Sequence, residues 1–185
     1  VLGQGHSHTN ANREYHQTVV SELRDVLFDI GYASNGTQQD ALGTVADGFE
    51  QLLLATHYYN LYLICMQHGL KAIALKISIT LIRYSGIIPI DKAFYLAGTM
   101  ARDQGQDNLA FVLLNRYIDL SEAIDEGSLD NIDNADFSEA TNIPFPFSLP
   151  PGQYLLEEDD REEIRDWVLS ICMDKSIDQQ LPGLQ

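Results

Sequence analysis

The sequence predicts an all-α protein: a helical-repeat solenoid followed by an acidic, proline-containing linker and a terminal helix. Three observations support this prediction. Apolar residues recur at intervals of three and four along most of the chain. Two stretches match each other when one is shifted by 36 residues. Towards the C-terminal end, a run rich in acidic residues and proline interrupts the helical pattern.

The composition is typical of a folded, acidic protein. Of the 185 residues, 45% are apolar and 21% are charged, so wholesale disorder is excluded. Eleven Lys and Arg stand against 27 Asp and Glu, which gives a formal charge of -16. Binding to nucleic acid or to an anionic membrane needs clustered cations, so both functions are disfavoured. No apolar run approaches the ~20 residues of a membrane-spanning helix.

The first segment, residues 1–37, is predicted to hold a flexible lead-in over 1–12 and an amphipathic helix over 13–30. Gly31 is the expected end of this helix. The absence of an initiator Met and of a leader sequence indicates an internal fragment of a longer protein. The apolar residues of the helix recur at helical spacing: Tyr15, Val19, Leu23, Val26, Leu27 and Ile30.

Residues 38–126 are predicted to form the repeats, with helices over 40–68, 70–84, 91–105 and 106–124. The second stretch alternates like a strand at Ile77, Ile79 and Leu81. Its length and its helical neighbours nevertheless favour a helix, because a lone strand would have no partner. Asp91 is expected to cap the third helix.

The 36-residue shift aligns Tyr59 with Tyr95 and Gly69 with Gly105. Each unit is a helix, a glycine turn and a second helix, which is the architecture of a tetratricopeptide-like repeat. The alternative is an ordinary helical bundle with accidental self-similarity. Residues from both helices of each unit are expected to be buried in the solenoid: Tyr58, Ile77, Phe94, Ala110 and Leu114.

Residues 127–156 are predicted to be an extended acidic and proline-rich linker, whose Phe145 and Phe147 suggest that it lies against a surface. Residues 157–185 begin with an acidic run that is favourable at a helix N-terminus. A helix over 159–173 then carries Ile164, Trp167 and Ile171 on one face.

The sequence contains no motif for catalysis, for a cofactor or for a metal ion, so no residue is assigned to these roles and the chain is predicted not to be an enzyme. Cys65 and Cys172 are expected to be buried free thiols in a reducing compartment. Aromatic and apolar residues are the candidates for contact with a partner protein: Phe145, Phe147, Ile164, Trp167, Ile171, Tyr59 and Tyr95.

Several stretches carry a more specific resemblance. They are Pro89–Tyr95, Asp107–Phe111, Leu114–Leu120, Ala123–Gly127 and Arg161–Leu169. In this order they resemble the C-terminal region of the intraflagellar transport protein 172 family, a large peripheral subunit of the intraflagellar transport B complex. The resemblance covers roughly residues 14–182 and is most specific over 159–174.

This resemblance implies a scaffold role in the transport trains of the cilium or flagellum and its basal body, on the cytoplasmic side. The implied partners are other intraflagellar transport subunits and tip or motor-associated proteins. It also implies that residues 157–185 are the start of a truncated U-box-like terminal domain. Two alternatives belong to other classes: an adaptor or enzyme fragment of the ubiquitin pathway, and a tetratricopeptide adaptor that binds peptides.

Overall fold

The structure is a computed structural model that describes residues 5–34, 43–128 and 158–174. These residues form six α-helices and one short 3-10 helix, Ile82–Tyr84, and they contain no strand, so the all-α prediction is confirmed. The helices are α1 (Gly5–Ser34), α2 (Gly43–Gln67), α3 (Lys71–Leu81), α4 (Ile90–Asp103), α5 (Asp107–Glu126) and α6 (Glu158–Asp174). The chain divides into two compact units, Val1–Ile77 and Ser78–Gln185.

In the first unit, α1 packs against α2. The prediction of a flexible lead-in over 1–12 is wrong for the described part of that range, because α1 already begins at Gly5. The helix also continues through Gly31, the expected end, to Ser34. Val20 and Leu27 are buried, whereas most of the predicted apolar face of this helix is exposed.

The two glycine turns, 36 residues apart, have the same geometry. Gly69 and Gly105 have φ values of +69° and +68°, in the left-handed region that glycine adopts without a steric penalty. After α2, the Leu70 N–H donates to the Cys65 carbonyl at 2.8 Å, and after α4 the Gln106 N–H donates to the Ala101 carbonyl at 3.0 Å. Both are Schellman ends, which satisfy the last carbonyls of a helix.

The predicted helix over 70–84 is confirmed against the strand alternative, since α3 covers Lys71–Leu81 and the 3-10 helix follows it directly. A helix accommodates the alternating residues Ile77, Ile79 and Leu81, all of which are buried. Helical spacing therefore outweighs the short run of period-2 alternation.

In the second unit, α4 and α5 form an extensively packed hairpin. Phe94, Ala110 and Leu114 are fully buried in this unit, and their predicted burial is confirmed. In the first unit, the predicted burial of Ile77 is also confirmed, whereas Tyr58 is only half-buried.

The expected cap of α4 needs a correction. The N-cap position is Pro89, which has no side chain able to form a capping bond, and the helix begins at Ile90. Asp91 lies inside the first turn, is 1% exposed, and accepts a hydrogen bond from the Lys92 N–H at 2.9 Å. Its carboxylate still sits near the positive end of the helix dipole.

Candidate protein-interaction site

Tyr59 is half-buried on α2 and is held by two other rings of the first unit. Its ring stacks on that of Tyr62, with 6.2 Å between the centroids and 13° between the planes. The His16 ring of α1 meets it edge-on at 5.8 Å. Aromatic pairs in these arrangements stabilise beyond their buried area. Tyr59 is therefore fixed in position with part of its surface accessible.

Tyr95, its counterpart in the second repeat, has a similar environment on α4. It is half-buried, and its ring lies 5.5 Å from that of Tyr117 at an angle of 53°. Tyr117 on α5 is fully buried. Both repeat-equivalent tyrosines thus combine a packing role with an accessible surface, which is what a contact residue requires.

The residues predicted on the terminal helix have different environments. Ile164 and Ile171 are 3% and 9% exposed, and α6 packs on α5. Trp167 is half-buried. Leu169 and Met173, which the sequence analysis did not single out, are 53% and 86% exposed. Trp167, Leu169 and Met173 are therefore accessible to a partner protein. Ile164 and Ile171 instead contribute to the interior of the unit.

Ion pairs that were not predicted from the sequence join α6 to the hairpin. The Arg165 guanidinium lies 3.0 Å from the Glu122 carboxylate, and Arg102 lies 3.4 Å from Glu163. The spacing of Arg161 and Arg165, one turn apart within a run of carboxylates, is a signal that could have suggested a helix paired along its length.

Arg161 makes the most connected of these ion pairs. It pairs with Asp125 on α5 and with Glu158 one turn earlier on α6. The hydrogen bond to Asp125, together with the nearby carboxylate charges, raises the pKa of Arg161 above its ordinary value. The guanidinium therefore stays charged and links the start of α6 to the end of α5.

Asp119 on α5 has a carboxyl group whose pKa is shifted from its ordinary value. Partial burial raises its pKa, the Arg116 guanidinium one turn earlier opposes that shift, and the charge of Glu122 adds to it. Burial penalises the ionised form, and this effect outweighs the exposed ion pair with Arg116 at 3.8 Å.

The remaining candidates are placed as follows. Phe145 and Phe147 lie outside the described residues. Cys65 is buried as expected, but Cys172 is exposed, so the prediction of two buried thiols is wrong for the second, which lies on the outer side of α6. Within the described ranges, no group of three metal-ligating side chains comes together, and no helix has the length and apolarity to cross a membrane.

Comparison with known proteins identifies close relatives. No protein-family model matches the chain. Over 176 residues, 94% of the chain, it is 42% identical to the Mus musculus protein named intraflagellar transport protein 172 homolog. The homolog in Danio rerio is 43% identical over 88% of the chain, and intraflagellar transport protein 172 of Chlamydomonas reinhardtii is 40% identical over 86%. The chain spans about a tenth of the length of these relatives. Over the matched residues, the chain belongs to the intraflagellar transport protein 172 family.

Proposed function

We propose that this chain is a non-catalytic scaffold segment of an intraflagellar transport B complex subunit. In this role it supports the assembly of transport trains, and thereby of the cilium or flagellum, through protein–protein contacts. The similarity to intraflagellar transport proteins of vertebrates and of Chlamydomonas reinhardtii along nearly the whole chain carries the proposal. The partners are other intraflagellar transport subunits and tip or motor-associated proteins. The place of action is the cilium or flagellum and its basal body.

The architecture supports a role in assembly. Helix pairs closed by equivalent glycine turns are units that stack on their neighbours and present extended surfaces to other proteins. The α4–α5 hairpin has a fully buried core, which includes Phe94, Leu114 and Tyr117. Such a rigid core holds surface residues in fixed positions, so that a partner is bound with little ordering cost.

Three parts of the chain are assigned to partner contact. On α6 the contacts are made by the exposed Leu169 and Met173 and, from another face of the helix, by the accessible part of Trp167. Tyr59 and Tyr95 contribute their accessible parts, each from its own repeat. In the linker, Phe145 and Phe147 make the contact. Residues 127–156 act in this proposal as a linker between the repeats of 38–126 and a terminal domain that starts at 157.

The test is affinity purification of the tagged chain from ciliated cells, with mass spectrometry of the proteins that co-elute. Transport subunits are expected to co-elute with the unsubstituted chain. They are expected to be lost from the double variant Leu169→Asp with Met173→Asp. The matched control is Ile73→Asp on α3, a site that is 50% exposed and is not one of the residues proposed to contact a partner. The control is expected to retain the subunits.

Circular dichroism must show the same helix content for all variants, because a fold defect would also remove partners. Recovery of ubiquitin-conjugating enzymes or chaperones without any transport subunit would contradict the scaffold proposal. Equal loss with Ile73→Asp would contradict the assignment of the surface on α6.

A further inference from the structure

Four apolar side chains form an exposed stripe along α1. Tyr15 is 72% exposed, Val19 43%, Leu23 47% and Val26 55%. They are separated by four, four and three positions, so at about 100° per residue they fall within an arc of about 80°. The helix packs on α2 by another face. A contiguous apolar patch on a folded protein marks a surface that binds another molecule.

The two borders of this apolar stripe differ in chemistry. On the border nearer to α2 lies His16, whose ring meets that of Tyr59 edge-on. On the opposite border, Glu22, Asp25 and Asp29 are exposed and follow each other at helical spacing. Glu22 and Asp25 also line a cleft of about 360 Å³ whose other lining residues are all polar: Gln17, Thr18, Ser21 and Gln67.

We propose that this surface of α1 binds an amphipathic helix of a partner protein, one that carries Lys or Arg along one border of its apolar face. The apolar face covers the stripe, as in helix-in-groove recognition. The basic side chains pair with Glu22 and Asp29, because the Asp25 carboxylate already pairs with Arg24. Complementary charge along one border sets the orientation of the bound helix.

Two other occupants fit the surface less well. Helices that lie on membranes carry Lys and Arg on their polar face, whereas the acidic border here is repelled by anionic headgroups. A second copy of the chain has the same formal charge of -16. An antiparallel pairing of two α1 helices would also bring the two acidic borders together, which is unfavourable for like charges.

This inference rests on the proposed function only in taking protein contact as the task of the segment. Its test uses synthetic probes and does not depend on which proteins co-purify from cells. The probes are two labelled helical peptides with identical leucine positions, one with Lys and one with Glu at the flanking positions. Fluorescence anisotropy measures their affinity for the 185-residue chain at physiological salt, because low salt exaggerates surface charge effects.

The Lys peptide is expected to bind saturably and about tenfold or more tightly than the Glu peptide. Val19→Ser with Leu23→Ser removes the apolar contact and is expected to abolish binding. Glu22→Lys with Asp29→Lys is expected to reverse the preference, so that the Glu peptide binds. The matched control, Asp160→Lys with Glu162→Lys on α6, makes the same change in net charge at exposed carboxylates and is expected to leave the preference intact.

Four results would overturn the proposal. The first is a reversal of the peptide preference by the α6 control as well, which would show that binding depends only on the net charge of the chain. The second is a dimer in sedimentation that Val19→Ser with Leu23→Ser dissociates, which would assign the stripe to a second copy. The third is co-sedimentation with phosphatidylserine vesicles. The fourth is loss of peptide binding when the chain is extended by its neighbouring residues in the natural polypeptide, which would assign the stripe to a helix of the same chain.

Discussion

Gly98 on α4 and Leu114 on α5 are in contact where the two helices approach too closely for any side chain to fit between them. A Cβ atom added at Gly98 would lie 2.6 Å from both Cγ and Cδ2 of Leu114 and 3.2 Å from its backbone nitrogen. Leu114 is fully buried, and a close-packed interior gives it little room to move aside. The packing of the hairpin therefore depends on glycine at position 98.

Gly98→Ala is expected to lower the free energy of unfolding by about 1–3 kcal/mol, because overpacking outweighs the better helix propensity of alanine. Chemical denaturation followed by circular dichroism measures this change. Gly48→Ala is the matched control, since Gly48 is also helical and an added Cβ would have no neighbour within 4 Å. It is expected to stabilise by about 0.5–1 kcal/mol, and a gain at both positions would contradict the predicted clash.

The two glycine turns are expected to respond alike to substitution. Gly69→Ala and Gly105→Ala introduce no contact within 4 Å, but both positions have positive φ. Each change is therefore expected to lower the free energy of unfolding by about 1–2 kcal/mol through backbone strain alone. Asparagine tolerates the left-handed region better, so Gly→Asn is expected to cost less at both sites. An equal cost of Ala and Asn, measured by urea denaturation, would show that another effect is responsible.

The docking of α6 on α5 can be followed by the fluorescence of Trp167, the single tryptophan of the chain. Val168 is 5% exposed, and Val168→Asp would bury an unpaired carboxylate at a cost of several kcal/mol. The helix is therefore expected to detach, with a red shift of the Trp167 emission. Leu169→Asp, one position along at a site that is 53% exposed, is expected to leave the emission unchanged. A shift in the control but not in Val168→Asp would contradict the observed orientation of α6.

The free energy of unfolding is expected to depend weakly on pH through the ionisation of Asp119. Its pKa is raised by burial, so ionisation favours the unfolded state. This penalty is complete above the raised pKa and disappears as the pH falls below the ordinary value of the group. Asp119→Asn is therefore expected to stabilise at pH 7, by less than about 1 kcal/mol because the side chain is 46% exposed. The gain is expected to vanish in acid, and denaturation at both pH values measures it. A gain that persists at low pH would exclude ionisation as the cause.

Local features of this fold could be predicted from the sequence because neighbouring residues alone determine them. Apolar residues at helical spacing predict the α2–α5 region as helices. The 36-residue shift predicts Gly69 and Gly105 as equivalent turns, and the left-handed backbone at each turn explains the choice of glycine. Gly31 was likewise expected to end a helix, but α1 continues through it to Ser34. A glycine ends a helix only where the backbone turns, and inside a helix it merely costs stability.

For the candidate site, the sequence identified residue types but not their accessibility. It placed Ile164, Trp167 and Ile171 together on one face of a helix, and it treated Cys65 and Cys172 alike as buried. Whether an apolar face is covered depends on which other helix packs against it, and spacing within one helix contains no such information. The ion pairs of Arg161 and Arg165 were missed for the same reason, since their partners on α5 are distant in the chain.

The sequence by itself therefore determined the helical class, the repeat with its glycine turns, and the family. Each of these depends only on which residues follow one another along the chain. Only the tertiary structure decided which apolar faces are buried. It exposed the stripe of Tyr15, Val19, Leu23 and Val26 on α1, and it brought α6 onto α5. The physical reason is that burial is a property of pairs of helices, and the hydrophobic effect acts on whichever faces the fold brings together.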